Sequence, residues 1–140
     1  MNLALEKLTL EQWNEVSENA HLVCFNEHRP REVNTFDFAL VTRNESELCT
    51  YATCIELDKA SVYMQHGGAF PNVAKGVYTV KGYLMTMRYL KENYQRASTR
   101  IKNTNLPMLK MAMGAGFLIN GIDSHPNGEV YLHLWNEFYQ

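Results

Sequence analysis

One stretch decides the fold of this 140-residue chain: Asn103-Thr-Asn-Leu-Pro-Met-Leu-Lys-Met-Ala-Met-Gly-Ala-Gly-Phe117. Asn105 is a favoured residue for capping the start of a helix, and Pro107 fits the first helical turn, where its missing N–H is not needed. Glycine often ends a helix, because it adopts left-handed backbone angles without strain. The stretch therefore predicts a helix that begins after Asn105 and ends near Gly114 or Gly116.

The sequence on both sides of this helix predicts a mixed sheet. Alternating apolar residues predict strands over 1–8, 36–42, 48–57, 61–65, 97–102, 117–122 and 130–135, and helical spacing predicts helices over 9–24 and 79–94. The order β-α-β-β-β-α-β-α-β-β belongs to the α/β (α+β) class, with a central sheet of about seven strands flanked by helices in a single domain over 1–140. The last strand, 130–135, is a candidate edge strand through which a homodimer would form.

The helix over 79–94 has an amphipathic pattern. Val80, Leu84, Met87 and Leu90 fall on one stripe, and the charged residues of the segment lie largely off it. This stripe is predicted to face the sheet.

Composition and charge argue against several classes of partner. The chain has 13 basic and 15 acidic residues, a net charge of −2, and no run of like charge that would suit nucleic acid or an anionic membrane surface. No apolar stretch approaches the roughly 20 residues that span a bilayer. Glu6 and Lys7 place charges too early for a signal peptide. These features predict a cytoplasmic protein with no nucleic-acid or membrane partner.

The residues that could bind a metal or act as nucleophiles are scattered. The five histidines have no spacing to each other, to cysteines or to acidic residues that is typical of a metal site, so no metal is predicted. Cys24, Cys49 and Cys54 form no C-x-x-C pair and are predicted to be free, reduced core residues. No G-x-S-x-G or comparable nucleophile motif occurs.

The stretch 103–117 resembles the C-terminal motif of the Gcn5-related N-acetyltransferases (GNAT). In that motif an Asn follows a strand and starts a helix that ends in Gly-Phe, and here Gly116-Phe117 begins eleven residues after Asn105. The predicted order of strands and helices is also similar to the GNAT order over essentially the whole chain. The resemblance implies a GNAT-like fold and acetyl-CoA as cofactor. It further implies that Asn105 lies near the pantetheine arm and that Met108 lines the cleft where two strands splay apart.

The segment before the second helix fits the same resemblance. A strand ends within 66–71, a loop runs through Lys75-Gly76, and a helix begins near Tyr78. In the family this junction holds the CoA pyrophosphate, which binds the free N–H groups of the first helical turn. The resemblance implies that the cofactor is bound here by Ala69, Phe70, Lys75, Gly76, Val77 and Tyr78. The family pattern Gln/Arg-x-x-Gly-x-Gly/Ala reads Ala74-Lys-Gly-Val-Tyr78 in this chain, with one glycine.

Acyl transfer to an amine needs a base for the ammonium proton and donors that polarise the thioester carbonyl. His66, at the end of a predicted strand, is a candidate base, and Glu56, near the end of the preceding strand, is a candidate that would act through a water. The alternative for both is a strand-end residue with an ordinary hydrogen bond. Many family members carry a Tyr seven residues after the motif Asn, but this chain has Ala112, which has no proton to donate.

Two functions follow from the resemblance. The first is an N-acyltransferase that uses acetyl-CoA on a small amine or a protein amino group, with a polar acceptor suggested by the charged segment 25–35. The alternative comes from similarity to phage- or prophage-encoded members of the fold in Gly67-Gly-Ala-Phe-Pro71 and Asn103-Thr-Asn-x-x-Met-Leu. Some of those are head-assembly or morphogenesis factors. In that case the chain is a catalytically decayed scaffold that binds phage assembly proteins in the host cytoplasm.

Overall fold

The computed structural model describes residues 3–17, 20–25, 35–71 and 77–138, without the side chains of residues 20, 21 and 25. In chain order it contains β1 (Leu3–Thr9), α1 (Leu10–Val16), α2 (Ala20–Phe25), β2 (Phe38–Asn44), β3 (Glu47–Glu56), β4 (Ser61–Ala69), α3 (Val77–Asn93), β5 (Arg96–Lys102), α4 (Leu106–Gly114), β6 (Leu118–Ser124) and β7 (Val130–Glu137). The predicted order is therefore confirmed, except that the first helix is divided in two.

The division of the first helix has a local cause. α1 begins at a capping box, in which Thr9 and Gln12 each bond the other's backbone N–H. It ends before Ser17, whose hydroxyl donates a hydrogen bond to the carbonyl of Trp13. Serine side chains that bond nearby backbone in this way compete with helix continuation.

All seven strands form one sheet in the order β1-β2-β3-β4-β5-β7-β6. Every neighbouring pair is antiparallel except β4 and β5, which are parallel. The prediction of a mixed sheet of about seven strands flanked by helices is confirmed. The prediction of 130–135 as an edge strand is wrong, because β7 pairs with β5 on one side and β6 on the other. Among the described strands the edges are β1 and β6.

The sheet buries a core on each face. The core on the side of α3 and α4 includes Leu40, Val62, Leu90, Leu109, Phe117 and Leu134. On the other face Trp13 of α1 is 1% exposed, and its ring stacks on that of Tyr51 with centroids 4.8 Å apart. Aromatic burial of this kind contributes more free energy of folding than most single side chains. The helices thus cover the sheet from opposite sides.

Helix α3 packs on the sheet through a different stripe from the predicted one. Met87 and Leu90 are buried as expected, but Val80 and Leu84 are 48% and 55% exposed. Gly82 is buried instead, and a Cβ added there would lie 2.5 Å from Oγ1 of Thr50. The absence of a side chain at Gly82 lets the helix backbone approach β3 closely, which turns the apolar positions of its first half toward solvent.

We predict that Gly82→Ala destabilises the protein despite the higher helix propensity of alanine. Alanine gains about 1 kcal/mol in a helix interior, but forcing a methyl group against Thr50 should cost more, with a net loss of about 1–2 kcal/mol in the free energy of unfolding. Urea denaturation measures it. The matched control is Gly114→Ala, since a Cβ there meets nothing within 4 Å. Equal stability changes in the two variants would contradict the close packing of α3.

Candidate functional site

The central feature of the sheet is the point where β4 and β5 separate. The two strands pair in parallel from Ser61 and Arg96 up to Met64 and Thr99. The hydroxyl of Thr99 donates to the carbonyl of Met64 over 3.0 Å at this last pair. Beyond it β4 continues to Ala69 and β5 to Lys102 without pairing to each other, so a cleft opens within the sheet.

A β-bulge at Gln65 accompanies the separation. Thr53 of β3 pairs with His66, but the next residue of β3, Cys54, pairs with Met64, so β4 has one extra residue. A bulge of this kind bends its strand and increases its twist. The Gln65 side chain holds the bend, because its Oε1 accepts a hydrogen bond from Thr53 over 3.1 Å and its Nε2 donates to the Thr35 carbonyl over 3.0 Å. No sequence pattern had predicted the bulge.

The cleft has a volume of about 330 Å³ and walls of mixed character. The apolar part includes Met64, Ala69, Ile101, Met108 and Met111, and the hydroxyl-bearing part includes Thr79, Tyr83, Thr86 and Thr99. Its charged side chains are Arg100 and Lys102, and no carboxylate is among the described residues that line it. Both cations are paired with carboxylates, Arg100 with Asp123 over 3.6 Å and Lys102 with Glu129 over 3.5 Å. The cleft therefore suits a largely apolar ligand that carries polar groups for the hydroxyls to bind.

The start of α4 forms one end of the cleft. Asn105 lines the cleft as the N-cap, and its Oδ1 accepts a hydrogen bond from the N–H of Met108 over 3.3 Å. At the other end of this helix Gly116 has a φ of 103° and Phe117 is 1% exposed. The predicted helix, with its Asn cap and glycine end, is confirmed.

The residues predicted to bind the cofactor occupy three kinds of position. Ala69, Asn105 and Met108 line the cleft. Val77 and Tyr78 begin α3 but are not among the lining residues, and Phe70 instead packs near Tyr51, with ring centroids 5.9 Å apart. Lys75 and Gly76 lie outside the described residues.

The two predicted catalytic residues lie far apart. His66 lines the cleft from β4, and its ring centroid is 5.8 Å from that of Tyr51. Glu56 pairs with Val62 at the beginning of β4, about 13 Å along the strand from His66. Its Oε2 accepts a hydrogen bond from the Tyr94 hydroxyl over 2.7 Å. Because β3 runs antiparallel to β4, the end of β3 is remote from the cleft, and the geometry does not support Glu56 as a catalytic residue.

Two polar features of the cleft, Tyr83 and Thr99, were not predicted from the sequence. Tyr83 was not singled out, although Thr79, Tyr83 and Thr86 are spaced so that they share one face of α3, and this spacing was visible in the sequence. Thr99 was also missed, because its importance depends on where β4 and β5 stop pairing. Ala112, in contrast, is fully buried in the core and is not among the lining residues.

None of the three cysteines is among the described residues that line the cleft. Cys49 and Cys54 are buried, and all three thiols are free. Burial raises the pKa of Cys24 to about 11 and that of Cys54 to about 12, and it also raises the pKa of Cys49. Thiols with such pKa values stay protonated at neutral pH, as expected for core residues.

We predict slow reaction of the native protein with a thiol reagent at pH 7. The rate at Cys24 should rise about tenfold for each pH unit up to its pKa of about 11, because the thiolate is the reacting form. Stopped labelling followed by mass spectrometry measures this rate, and protein unfolded in urea is the control in which all three cysteines should react quickly. Rapid labelling of native protein at pH 7 would contradict the burial of these thiols.

The described ranges hold neither a metal-binding cluster nor a membrane-spanning helix. They contain no group of three or more His, Cys, Asp or Glu residues that could hold a metal ion. None of the helices described is long and apolar enough to cross a membrane.

No family model and no curated protein matches this sequence. Solved structures do match its fold. The ribosomal-protein-S18-alanine N-acetyltransferase from Escherichia coli has a TM-score of 0.79 at 9% identity, covering 99% of this chain and 96% of that one. A GNAT-family acetyltransferase from Bacillus cereus has a TM-score of 0.75 at 12% identity and covers 100% of both chains. A putative acetyltransferase from Salmonella typhimurium, solved with its cofactor acetyl-CoA, has a TM-score of 0.69 at 9% identity, covering 99% and 95%. The predicted GNAT fold is confirmed.

Proposed function

We propose that this chain is an N-acyltransferase that uses acetyl-CoA to acylate a small amine or a protein amino group. The observation that carries the proposal is the cleft between β4 and β5, which begins at the Met64–Thr99 pair in the middle of the sheet. Acetyl-CoA would supply the acyl group in activated form, as a thioester. The Salmonella typhimurium neighbour was solved with this cofactor, and the Escherichia coli neighbour is named for a protein acceptor.

The residues of the cleft fit the parts of this cofactor. Met64, Met108 and Met111 offer an apolar surface for the pantetheine arm. Arg100 and Lys102 add positive charge that is shared with the carboxylates of Asp123 and Glu129. The N-terminal end of α3 would attract phosphate, because it carries the positive end of the helix dipole. We therefore keep Asn105, Met108, Ala69 and the segment of Phe70, Lys75, Gly76, Val77 and Tyr78 as the proposed cofactor-binding residues.

His66 is the proposed general base. It lies opposite Thr53 in the β3–β4 register and beside Tyr51, and therefore on the face of the sheet that carries α1 and α2. An acceptor amine entering from this face would meet the imidazole at the mouth of the cleft. Imidazole is suited to take a proton from an ammonium group near neutral pH.

The bulged strand β4 is the proposed source of electrostatic stabilisation. Its ladder with β5 ends at Met64, and the N–H groups of Gly67 and Gly68 belong to the part of β4 that lines the cleft beyond this pair. Backbone N–H groups of this kind stabilise negative charge that develops on a carbonyl oxygen. The proposal therefore gives the bulge a chemical role as well as a structural one.

Acetyl-CoA should raise the melting temperature of the protein. Ligand at about 100 times its Kd stabilises the folded state by about 2.7 kcal/mol, which corresponds to several degrees for a chain of this size. A thermal-shift titration measures this effect, and no shift at millimolar acetyl-CoA would refute the proposed function.

The variant Asn105→Ser keeps a capping hydroxyl but removes the amide, so it should retain the stability of the wild type and bind acetyl-CoA more weakly. An unchanged affinity would show that Asn105 is not in the binding site.

His66→Gln should lower kcat for acylation by about 100-fold or more, because a positioned base typically contributes that much. The affinity for acetyl-CoA should change little. A discontinuous assay of acylated amine measures kcat, and His133→Gln is the control, since His133 is half-buried on β7 but does not line the cleft. Similar activity in the two variants would remove His66 from the mechanism.

A binding scaffold is the second candidate function. It is favoured by Ala112, which lies in the core where many family members carry a tyrosine, and by the absence of carboxylates among the described residues of the cleft. The similarity to phage-encoded members would make its partners phage assembly proteins. Acetyl-CoA binding without turnover on a panel of amines would support the scaffold.

For both candidate functions we propose a cytoplasmic location. We expect any homodimer to form through an edge strand of the described sheet, β1 or β6.

A further inference from the structure

One polar group in the cleft is left without a partner. The hydroxyl oxygen of Tyr83 is closed off from solvent, and it has no hydrogen-bond partner within the described residues. Its neighbour on the same helix face, Thr86, is satisfied, because the Thr86 hydroxyl donates to the Gly82 carbonyl over 2.9 Å. Buried hydroxyls are nearly always hydrogen-bonded, since leaving one unpaired destabilises the folded state.

This hydroxyl is available as a hydrogen-bond donor. Burial raises the pKa of Tyr83 well above its usual range, so the group keeps its proton at any physiological pH. A phenylalanine would fill the same space without an unpaired polar atom. The hydroxyl therefore adds no stability to the unliganded chain beyond that of a phenyl ring. It does give the cleft a hydrogen-bond donor.

The opposite walls of the cleft offer the hydroxyl little to bind. Met64, Met108 and Met111 present thioethers, which are weak acceptors. A ligand that enters must bring its own acceptor. The pantetheine arm of acetyl-CoA carries two amide groups, and a carbonyl oxygen that lies against these methionine side chains would need a donor. A hydrogen bond between the Tyr83 hydroxyl and an amide carbonyl of the arm would therefore pair both groups.

We propose that the Tyr83 hydroxyl donates a hydrogen bond to an amide carbonyl of the pantetheine arm. Tyr83 is then a ligand-binding residue of α3 that selects for the arm of the cofactor rather than for its nucleotide. Because the oxygen is covered in the free protein, the side chains around it must shift locally as the arm enters. The inference rests on the proposed function, since it takes acetyl-CoA as the ligand.

The test compares two ligands in Tyr83→Phe and wild type by titration calorimetry. CoA has the arm, whereas 3′-phospho-ADP has the nucleotide and phosphates without it. The Kd for CoA should rise about 2- to 10-fold in the variant, the range expected for one neutral hydrogen bond. The Kd for 3′-phospho-ADP should not change. Failure of wild type to bind CoA would refute the proposed function itself, which is a different result from equal CoA affinity in the two proteins.

Melting temperatures without ligand give the second readout. Tyr83→Phe should be as stable as wild type or more stable, because it removes an unpaired hydroxyl. The matched control is Tyr94→Phe, which removes the hydroxyl that donates to Glu56 over 2.7 Å outside the cleft. It should melt lower and bind CoA as wild type does. The inference is overturned if Tyr83→Phe leaves CoA affinity unchanged, or if it weakens both ligands equally.

Discussion

The arrangement of this protein depends on how far two parallel strands stay paired. β4 and β5 share only the pairs from Ser61–Arg96 to Met64–Thr99, and the bulge at Gln65 turns β4 away from β5 after that point. A parallel sheet that continued to the strand ends would have a closed surface with no interior space. Because pairing stops in the middle, the backbone of the sheet itself forms the walls of the cleft.

Helices α3 and α4 line this opening with side chains. α3 approaches the sheet through Gly82, which has no side chain to hold it away from Thr50, and this brings the face with Thr79 and Tyr83 over the cleft. α4 starts at the end of β5 with Asn105 at its cap, and so it covers the cleft from the other strand. The hydroxyls of the helical walls all come from α3, whereas α4 contributes the apolar side chains of Met108 and Met111. The site is thus assembled from elements whose positions are fixed by packing elsewhere.

The sequence could predict the features that depend on local chemistry. The Asn cap, the proline in the first turn and the glycine end of α4 act within a few residues of each other, and the helix lies where they indicated. Features set by contacts between residues far apart in the chain could not be predicted from the sequence. Apolar spacing predicts Val80 and Leu84 on the buried stripe of α3, but the close approach of Gly82 to β3 decides which face is buried. Glu56 and His66 both lie near the ends of predicted strands, but the antiparallel register of β3 and β4 puts them at opposite ends of the pair.

The short seam between β4 and β5 also divides the sheet mechanically. Antiparallel ladders join β1 to β4 on one side and β5 to β6 on the other, whereas four residue pairs in the parallel arrangement join the two halves. Parallel pairing is slightly weaker per residue than antiparallel pairing. Of the described ladders this one has the fewest paired residues. A small rotation of one half against the other would change the width of the cleft, so bending of the sheet and entry of a ligand would be coupled.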